Sequence, residues 1–262
     1  MLNIKVKSLI AAAALALPFS APAHADLSDI LSEGVIKIAV PESFAPFGSL
    51  GMEGEHVGYD VDVAKLLAEN LGVELEIVPV VSKQRIPFLE TERVDLVISS
   101  LGANPERAKS IWFSAAYAPF YSGVFASDDT MISSAADLSG LTIGVTGGNL
   151  EDLELSKIAP DDAKIVRFGD DAATLSAYTS GQIDVLVTGN TAAAQLTVDH
   201  PEISIATKII LKESPAFIGV KKGDFDLLQW VNVFILHKKL GGELDVISQE
   251  WFGQPLPPLP TF

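Results

Sequence analysis

The sequence predicts an α/β protein built as two similar lobes, and three observations carry that expectation. Short apolar runs of strand length, among them Val35–Val40, Val73–Val80 and Leu141–Thr146, alternate with stretches whose apolar residues recur at helical spacing. The segment Glu92-Arg93-Val94-Asp95-Leu96-Val97-Ile98-Ser99 is echoed by Gly181-Gln182-Ile183-Asp184-Val185-Leu186-Val187-Thr188. Both follow a predicted helix, and both run turn, β-branched residue, Asp, apolar strand, hydroxyl. A second pair in the same order, Ile38-Ala39-Val40-Pro41 and Ile143-Gly144-Val145-Thr146, ends two strands in small or bent loops. Chance recurrence of a common strand-to-loop pattern is the alternative. In open α/β sheets ligands sit outside the carboxyl ends of the strands, so two such units would offer facing sets of loops.

The first 25 residues are read as a targeting segment and set aside. Lys5 and Lys7 precede the apolar Leu9–Leu17, which is too short to span a bilayer, and Ala23-His24-Ala25 is a small-residue cleavage site ahead of Asp26. Export with cleavage after Ala25 is the expectation. The remaining 237 or so residues suffice for two modest lobes or one large domain. Without Lys5 and Lys7 there are 16 basic against 34 acidic residues, a net charge near −18 that opposes nucleic acid and anionic membrane surfaces. An anion site would need local donors working against that field. Cysteine is absent, which excludes disulfides and thiolate metal centres. His56, His200 and His237 have no metal-ligand spacing, so no metal and no cofactor is expected.

In chain order, Val35–Val40 is a strand ended by Pro41 and Pro46, with Phe44 and Phe47 flanking the bend; Phe44 can wall a pocket, while Phe47 reads as core. Gly58-Tyr59-Asp60 opens a helix carrying Val61, Ala64, Leu67, Ala68 and Leu71, and Gly72 closes it. Val73–Val80 is a strand and Arg85–Glu92 a short helix. The aromatic-rich Ile111–Phe125 reads as a crossing between lobes. In the second lobe Leu141–Thr146 is a strand, Gly147-Gly148-Asn149 a loop and N-cap for a helix through Lys157, Lys164–Phe168 a strand, and Asp171–Ser180 a helix stopped by Gly181. A helix from Asn190 to Asp199, a strand Ile203–Ile209 and a second crossing strand Ala216–Val220 follow. Helices Phe225–Lys239 and Glu243–Trp251 precede the proline-rich Pro255–Pro260, which cannot join a sheet and is expected to lie over a surface.

The stretch Val94–Arg107 (VDLVISSLGANPER) carries the chemistry. A buried strand breaks into Ser99, Ser100, Gly102 and Ala103, and a helix is expected to start with Asn104 as N-cap, Pro105 at the first helical position and Arg107 in the first turn. Amides and hydroxyls beside a planar guanidinium make a cradle for a small carboxylate. A solvated surface arginine on a core strand is the other reading of the same residues.

With Gly58-Tyr59-Asp60-Val61-Asp62-Val63-Ala64, Val94–Ser100, Pro105-Glu106-Arg107, Phe113-Ser114, Ile143-Gly144-Val145 and Trp251-Phe252-Gly253 in this order, the chain resembles the periplasmic solute-binding proteins of ABC importers, specifically the polar amino-acid-binding group. The resemblance implies a type II periplasmic-binding-protein fold, with two crossing strands as the hinge and the ligand enclosed between the lobes. Lobe 1 would comprise residues 26–118 and 217–262, and lobe 2 residues 119–216. It further implies that Arg107 clamps a ligand α-carboxylate, that Ser99 and Ser100 meet its amine and carboxylate, that Phe44 stacks on its side chain, and that Gly148, Asn149 and Leu150 donate backbone N–H groups from lobe 2. Several positions depart from the group's pattern. Gly102 replaces a hydroxyl residue, Asn149 and Leu150 replace Thr or Ser, and the acid that pairs with the ligand ammonium falls at Gly189, between Thr188 and Asn190. The second aromatic wall falls near Ser82. Pro41 stands where some members have an acid, with Glu42 adjacent as a replacement.

The function implied is a periplasmic receptor that captures a small carboxylate-bearing solute, an amino acid first of all, and delivers it to an inner-membrane ABC permease. Such a receptor is expected to act as a monomer and to be no enzyme. The alternative is a cyclohexadienyl or arogenate dehydratase on the same scaffold, with Glu42 or Glu151 as the general acid.

Overall fold

The computed structural model describes residues 27–261; the leader and cleavage site expected from the sequence lie outside them. Lobe 1 is a five-stranded sheet whose parallel part comprises β1 (Val35–Pro41), β4 (Glu74–Val80) and β5 (Leu96–Gly102). It is extended by the antiparallel β12 (Ala216–Lys221), which pairs with β5 and with β6 (Ile111–Ala118), for an order β4-β1-β5-β12-β6. A small ribbon, β2 (Ser49–Leu50) with β3 (His56–Val57), follows the first strand. Every residue of β5 is buried, as expected of a central strand covered on both faces. Leu96 and Ile98 face one core with Ile38, Leu67 and Val231; Val97 and Leu101 face another with Ala39, Leu89 and Ile111.

Five helices cover this sheet: α1 (Leu27–Glu33), α2 (Tyr59–Leu71), α3 (Arg85–Glu90), α7 (Phe225–Gly241) and α8 (Glu243–Phe252). Gly72 caps α2 in the left-handed region at φ 77°, where a side chain would be strained. Trp251 Nε1 donates to Asp62 Oδ2 at 2.7 Å, tying α8 to the first turn of α2.

Lobe 2 carries β7 (Tyr121–Ala126), β8 (Thr142–Thr146), β9 (Lys164–Phe168), β10 (Val185–Gly189) and β11 (Ala206–Glu213), in the order β11-β7-β10-β8-β9. Strands β10, β8 and β9 are parallel, β7 runs against them, and β11 pairs antiparallel with β7 and so runs in their direction. The helices α4 (Leu150–Ile158), α5 (Asp171–Thr179) and α6 (Asn190–Asp199) follow β8, β9 and β10.

The repeat seen in the sequence is a repeat in space. Asp95 exchanges bonds with Lys37, its N–H donating to Lys37 O (2.8 Å) and its Oδ2 accepting from Lys37 N (2.7 Å). Asp184 does the same with Thr142, at 2.9 Å in each direction. Each Asp locks the start of one parallel strand to its neighbour, a structural duty in both lobes.

The chain crosses between sheets at Pro119-Phe120 and at Ser214-Pro215. Ala118 lies opposite Ala216 and Tyr121 opposite Glu213, and Ser214 N donates to Phe120 O at 3.0 Å. The aromatic-rich segment is therefore two strands, β6 and β7, separated by a proline that has no N–H for a ladder. Pro257–Pro260 share a groove with Pro119, Tyr121, Glu213 and Pro215, and Leu256 N donates to Asp245 Oδ1 at 3.1 Å.

Two expectations are corrected. The helix beginning at Asn104 does not form. Asn104 Oδ1 does accept from Arg107 N at 2.8 Å, as an N-cap would, but only one 3-10 turn, Arg107–Lys109, follows before β6 begins at Ile111. The strand expected over Ile203–Ile209 runs instead over Ala206–Glu213, because its limits follow its partner, from Ala206 opposite Ala126 to Glu213 opposite Tyr121.

Candidate functional site

The carboxyl ends of the parallel strands of both lobes converge on a small cavity. From lobe 1 it is lined by Phe44 after β1, Ser82 and Arg85 after β4, Ser100 and Gly102 at the end of β5, and Arg107. From lobe 2 come Asn149, Leu150 and Glu151 after β8 and Asp171 after β9, and Phe120 comes from a crossing segment.

Arg107 reaches across the cleft. Its Nη1 donates to Gly102 O at 2.8 Å and its Nη2 to Gly148 O of the other lobe at 3.4 Å. Burial lowers its pKa to about 10, with the charge of Arg85 acting in the same sense and that of Glu151 opposing it. The guanidinium is therefore still a cation at neutral pH.

Ser100 lines the cavity with its backbone in the left-handed region at φ 41°, unusual for a residue with a side chain. Its N–H donates to Asp60 Oδ2 at 2.7 Å. Asp60 is fully buried and also accepts from Tyr117 Oη at 2.5 Å, while Tyr59 Oη donates to Tyr117 O at 2.8 Å. Burial dominates the Asp60 carboxyl and pushes its pKa up to about 7, against the bonds from Tyr117 and Ser100 and the charge of Arg85.

Two buried carboxyls face these cations from the first turns of α4 and α5. Glu151 accepts from Ser122 Oγ at 3.1 Å, and Asp171 from Thr146 Oγ1 at 2.7 Å. Burial raises both pKa values; the charge of Arg85 lowers them. Among the described residues no ion pair joins either acid to an arginine. Helix N-termini favour anionic groups here, which offsets part of the desolvation.

The residues proposed from the sequence fall into two groups. Phe44, Ser100, Gly102, Arg107, Asn149 and Leu150 line the cavity together. Asn149 is occupied as the N-cap of α4, its Oδ1 accepting from Asp152 N at 2.8 Å. Gly148 stands at the rim, its carbonyl already holding Arg107. Ser99 is fully buried behind the wall, with no partner for its hydroxyl among the described residues. Glu42 is exposed and lines no part of the cavity, and Asn190 turns its Oδ1 to Tyr121 N at 3.0 Å.

Gly189 and Gly102 owe their lack of a side chain to packing. A Cβ at Gly189 would stand 2.2 Å from the Phe120 ring and 3.3 Å from Phe44, so the aromatic pair fills the space an acid would need. A Cβ at Gly102 would stand 2.7 Å from both Leu150 Cδ2 and Ser214 Oγ, so Gly102 lets Leu150 of lobe 2 close onto lobe 1. Phe44 stacks on Phe47 at 5.7 Å, and both rings meet Phe120.

Sequence reasoning missed Arg85, Asp171 and Phe120 as cavity residues. The available signal was positional: Arg85 and Asp171 follow the carboxyl ends of β4 and β9, where the topology puts a ligand.

The profile of bacterial extracellular solute-binding proteins, family 3, matches residues 36–254. The chain belongs to this family. The L-cystine-binding protein TcyJ of Escherichia coli K12 is 28% identical over 252 residues, covering 93% of each chain. Among solved structures of the fold, a mutant of ArgBP from T. maritima aligns with a TM-score of 0.80 at 31% identity, over 87% of this chain and 99% of that one. The ancestral amino acid-binding protein AncCDT-1, described as a precursor of cyclohexadienyl dehydratase, aligns with a TM-score of 0.80 at 29% identity, over 86% and 99%. The family's type II periplasmic-binding fold is the two-lobed architecture expected from the sequence, and family membership assigns a binding function, not an enzymatic one.

Proposed function

We propose that this chain is the exported receptor of an ABC importer, a monomer released by cleavage after Ala25, which captures an amino acid between its lobes and presents it to an inner-membrane permease. The observation that carries this reading is the guanidinium of Arg107, half-buried in the wall of the inter-lobe cavity and bonded to a carbonyl of each lobe. A carboxylate entering between the lobes would take both Nη donors in a bidentate pair. The lobe limits belong to this reading, with residues 26–118 and 217–262 as one body and 119–216 as the other.

In this reading the ligand ammonium is met by Glu151 or Asp171, not by an acid at the end of β10. Phe120 excludes an acid at Gly189, while two buried carboxyls on lobe 2 line the same cavity. Ser100 offers polar groups from lobe 1, and Phe44 with Phe120 forms the apolar wall. Closure is the transport signal, because the closed outline differs from the open one and is what a permease can recognise.

Titration calorimetry with the twenty amino acids tests this reading. At least one is expected to bind saturably, and Arg107→Ala is expected to abolish that heat. Incubation with prephenate or arogenate is expected to give no product; turnover would favour the dehydratase instead.

A further inference from the structure

Two polar atoms of the cavity wall have no partner among the described residues: Ser82 Oγ and Arg85 Nε. Ser82 is 7% exposed and Arg85 5%. An unpaired buried donor bears its full desolvation penalty, and for a guanidinium that penalty is large. Interior groups of this kind normally find partners, so a pair of them on residues that line a ligand cavity marks a place for acceptor atoms.

The two residues stand three apart in the turn after β4, Ser82 opening a 3-10 turn and Arg85 the first residue of α3. Arg107 follows β5, so both guanidinium groups belong to lobe 1. They are close enough for Arg85 to disfavour the charge on Arg107. The carboxyls opposite are held by Thr146 and Ser122, and among the described residues neither forms an ion pair with Arg85. Two cations thus face one small cavity; the second lies near the carboxyls of Glu151, Asp171 and Asp60, whose titration its charge affects, but among the described residues it is ion-paired to none of them.

We infer that Ser82 and Arg85 form a second acceptor subsite, so that the favoured ligand is an α-amino acid with a carboxylate at the end of its side chain, Arg107 taking one carboxylate and Arg85 the other. This rests on the receptor reading above and narrows it. A ligand with two carboxylates relieves the repulsion between the guanidinium groups and supplies the acceptors that Ser82 and Arg85 lack. Its ammonium falls to Glu151 or Asp171. A basic side chain would bring a third cation against Arg85, and a purely apolar one would leave both donors unpaired.

Calorimetry of the mature chain with L-aspartate, L-glutamate, L-glutamine, L-arginine and succinate tests the inference, alongside the Arg85→Gln and Ser82→Ala variants. An acidic amino acid is expected to bind at least tenfold tighter than L-glutamine, L-arginine or succinate. Arg85→Gln is expected to lower that affinity about a hundredfold while changing L-glutamine binding less than tenfold, with Ser82→Ala producing a smaller change in the same direction. Thermal unfolding of the ligand-free variants checks that they fold. Tightest binding of L-arginine, succinate matching L-glutamate, or equal losses for every ligand in Arg85→Gln would each overturn the subsite while leaving the receptor intact. Failure of every amino acid to bind the wild type would overturn the receptor reading and the subsite with it.

Discussion

Asp60 holds the backbone of Ser100. Its Oδ2 accepts the Ser100 N–H at 2.7 Å, and Ser100 keeps a positive φ of 41° at the edge of the ligand cavity. The first turn of α2 thereby sets the geometry of a residue 40 positions later on a central strand.

The Asp60 carboxyl has a folded pKa raised to about 7 from 3.8. Between those values the folded state holds a proton that the unfolded state has released, so this contribution to stability is full below about pH 4 and is lost as the pH rises through 7. Asp60→Asn keeps a carbonyl for Ser100 and abolishes the titration. Urea unfolding from pH 4 to 8 should show the stability gap between wild type and variant narrowing or reversing by on the order of a few kcal/mol as the pH rises. A gap independent of pH would contradict the assignment.

Arg107→Ala should weaken ligand binding by on the order of 2–4 kcal/mol, because a charge-assisted bidentate pair in a water-excluded cleft is lost. Arg107→Lys should recover only part of it, since a point charge cannot reproduce the fork. Titration calorimetry reads both, and unchanged affinity in the alanine variant would remove the basis of the receptor reading.

Gly102→Ser should act on closure more than on folding. The added atoms meet Leu150, which belongs to lobe 2, only when the lobes are together; the Ser214 hydroxyl they also meet sits on the crossing segment beside Gly102 and can rotate away. Ligand affinity is expected to fall at least about tenfold, or about 1.4 kcal/mol, with little change in the melting temperature of the ligand-free protein. Small-angle scattering with saturating ligand should show a more open particle than the wild type.

Gly189→Asp should destabilise the fold by roughly 1–3 kcal/mol through overpacking against Phe120. Paired with Phe120→Ala, the aspartate gains room, and the double variant should be more stable than the sum of the single changes. A double-mutant cycle from thermal unfolding measures that coupling, and simple additivity would show that the ring does not block the position.

Much of the scaffold was legible in the sequence because periodicity and punctuation agree there. The helix from Tyr59 to Leu71 stops at Gly72 as its apolar spacing and glycine require, and the matching Asp95 and Asp184 mark two units in the sequence itself. The Asn104 helix does not form because cap chemistry alone is not sufficient: the cap bond forms, but Ala108-Lys109-Ser110 leads into a strand with no apolar face for a helix to bury. Arg107 was legible because a loop of small residues precedes it. Arg85 was not, because an arginine opening a short helix looks like a solvated one until the fold turns it inward. The empty acid position at Gly189 was visible, but its cause was not, since Phe120 lies 69 residues earlier and meets it only through the pairing of β7 with β10.

Phe120 belongs at once to the cavity wall and to the joint between the lobes, where its carbonyl ties the two passing strands together. Any swing of one half against the other must carry a piece of the binding chamber with it. Pocket and axle share a residue, so what occupies the chamber bears directly on how far the jaws can turn.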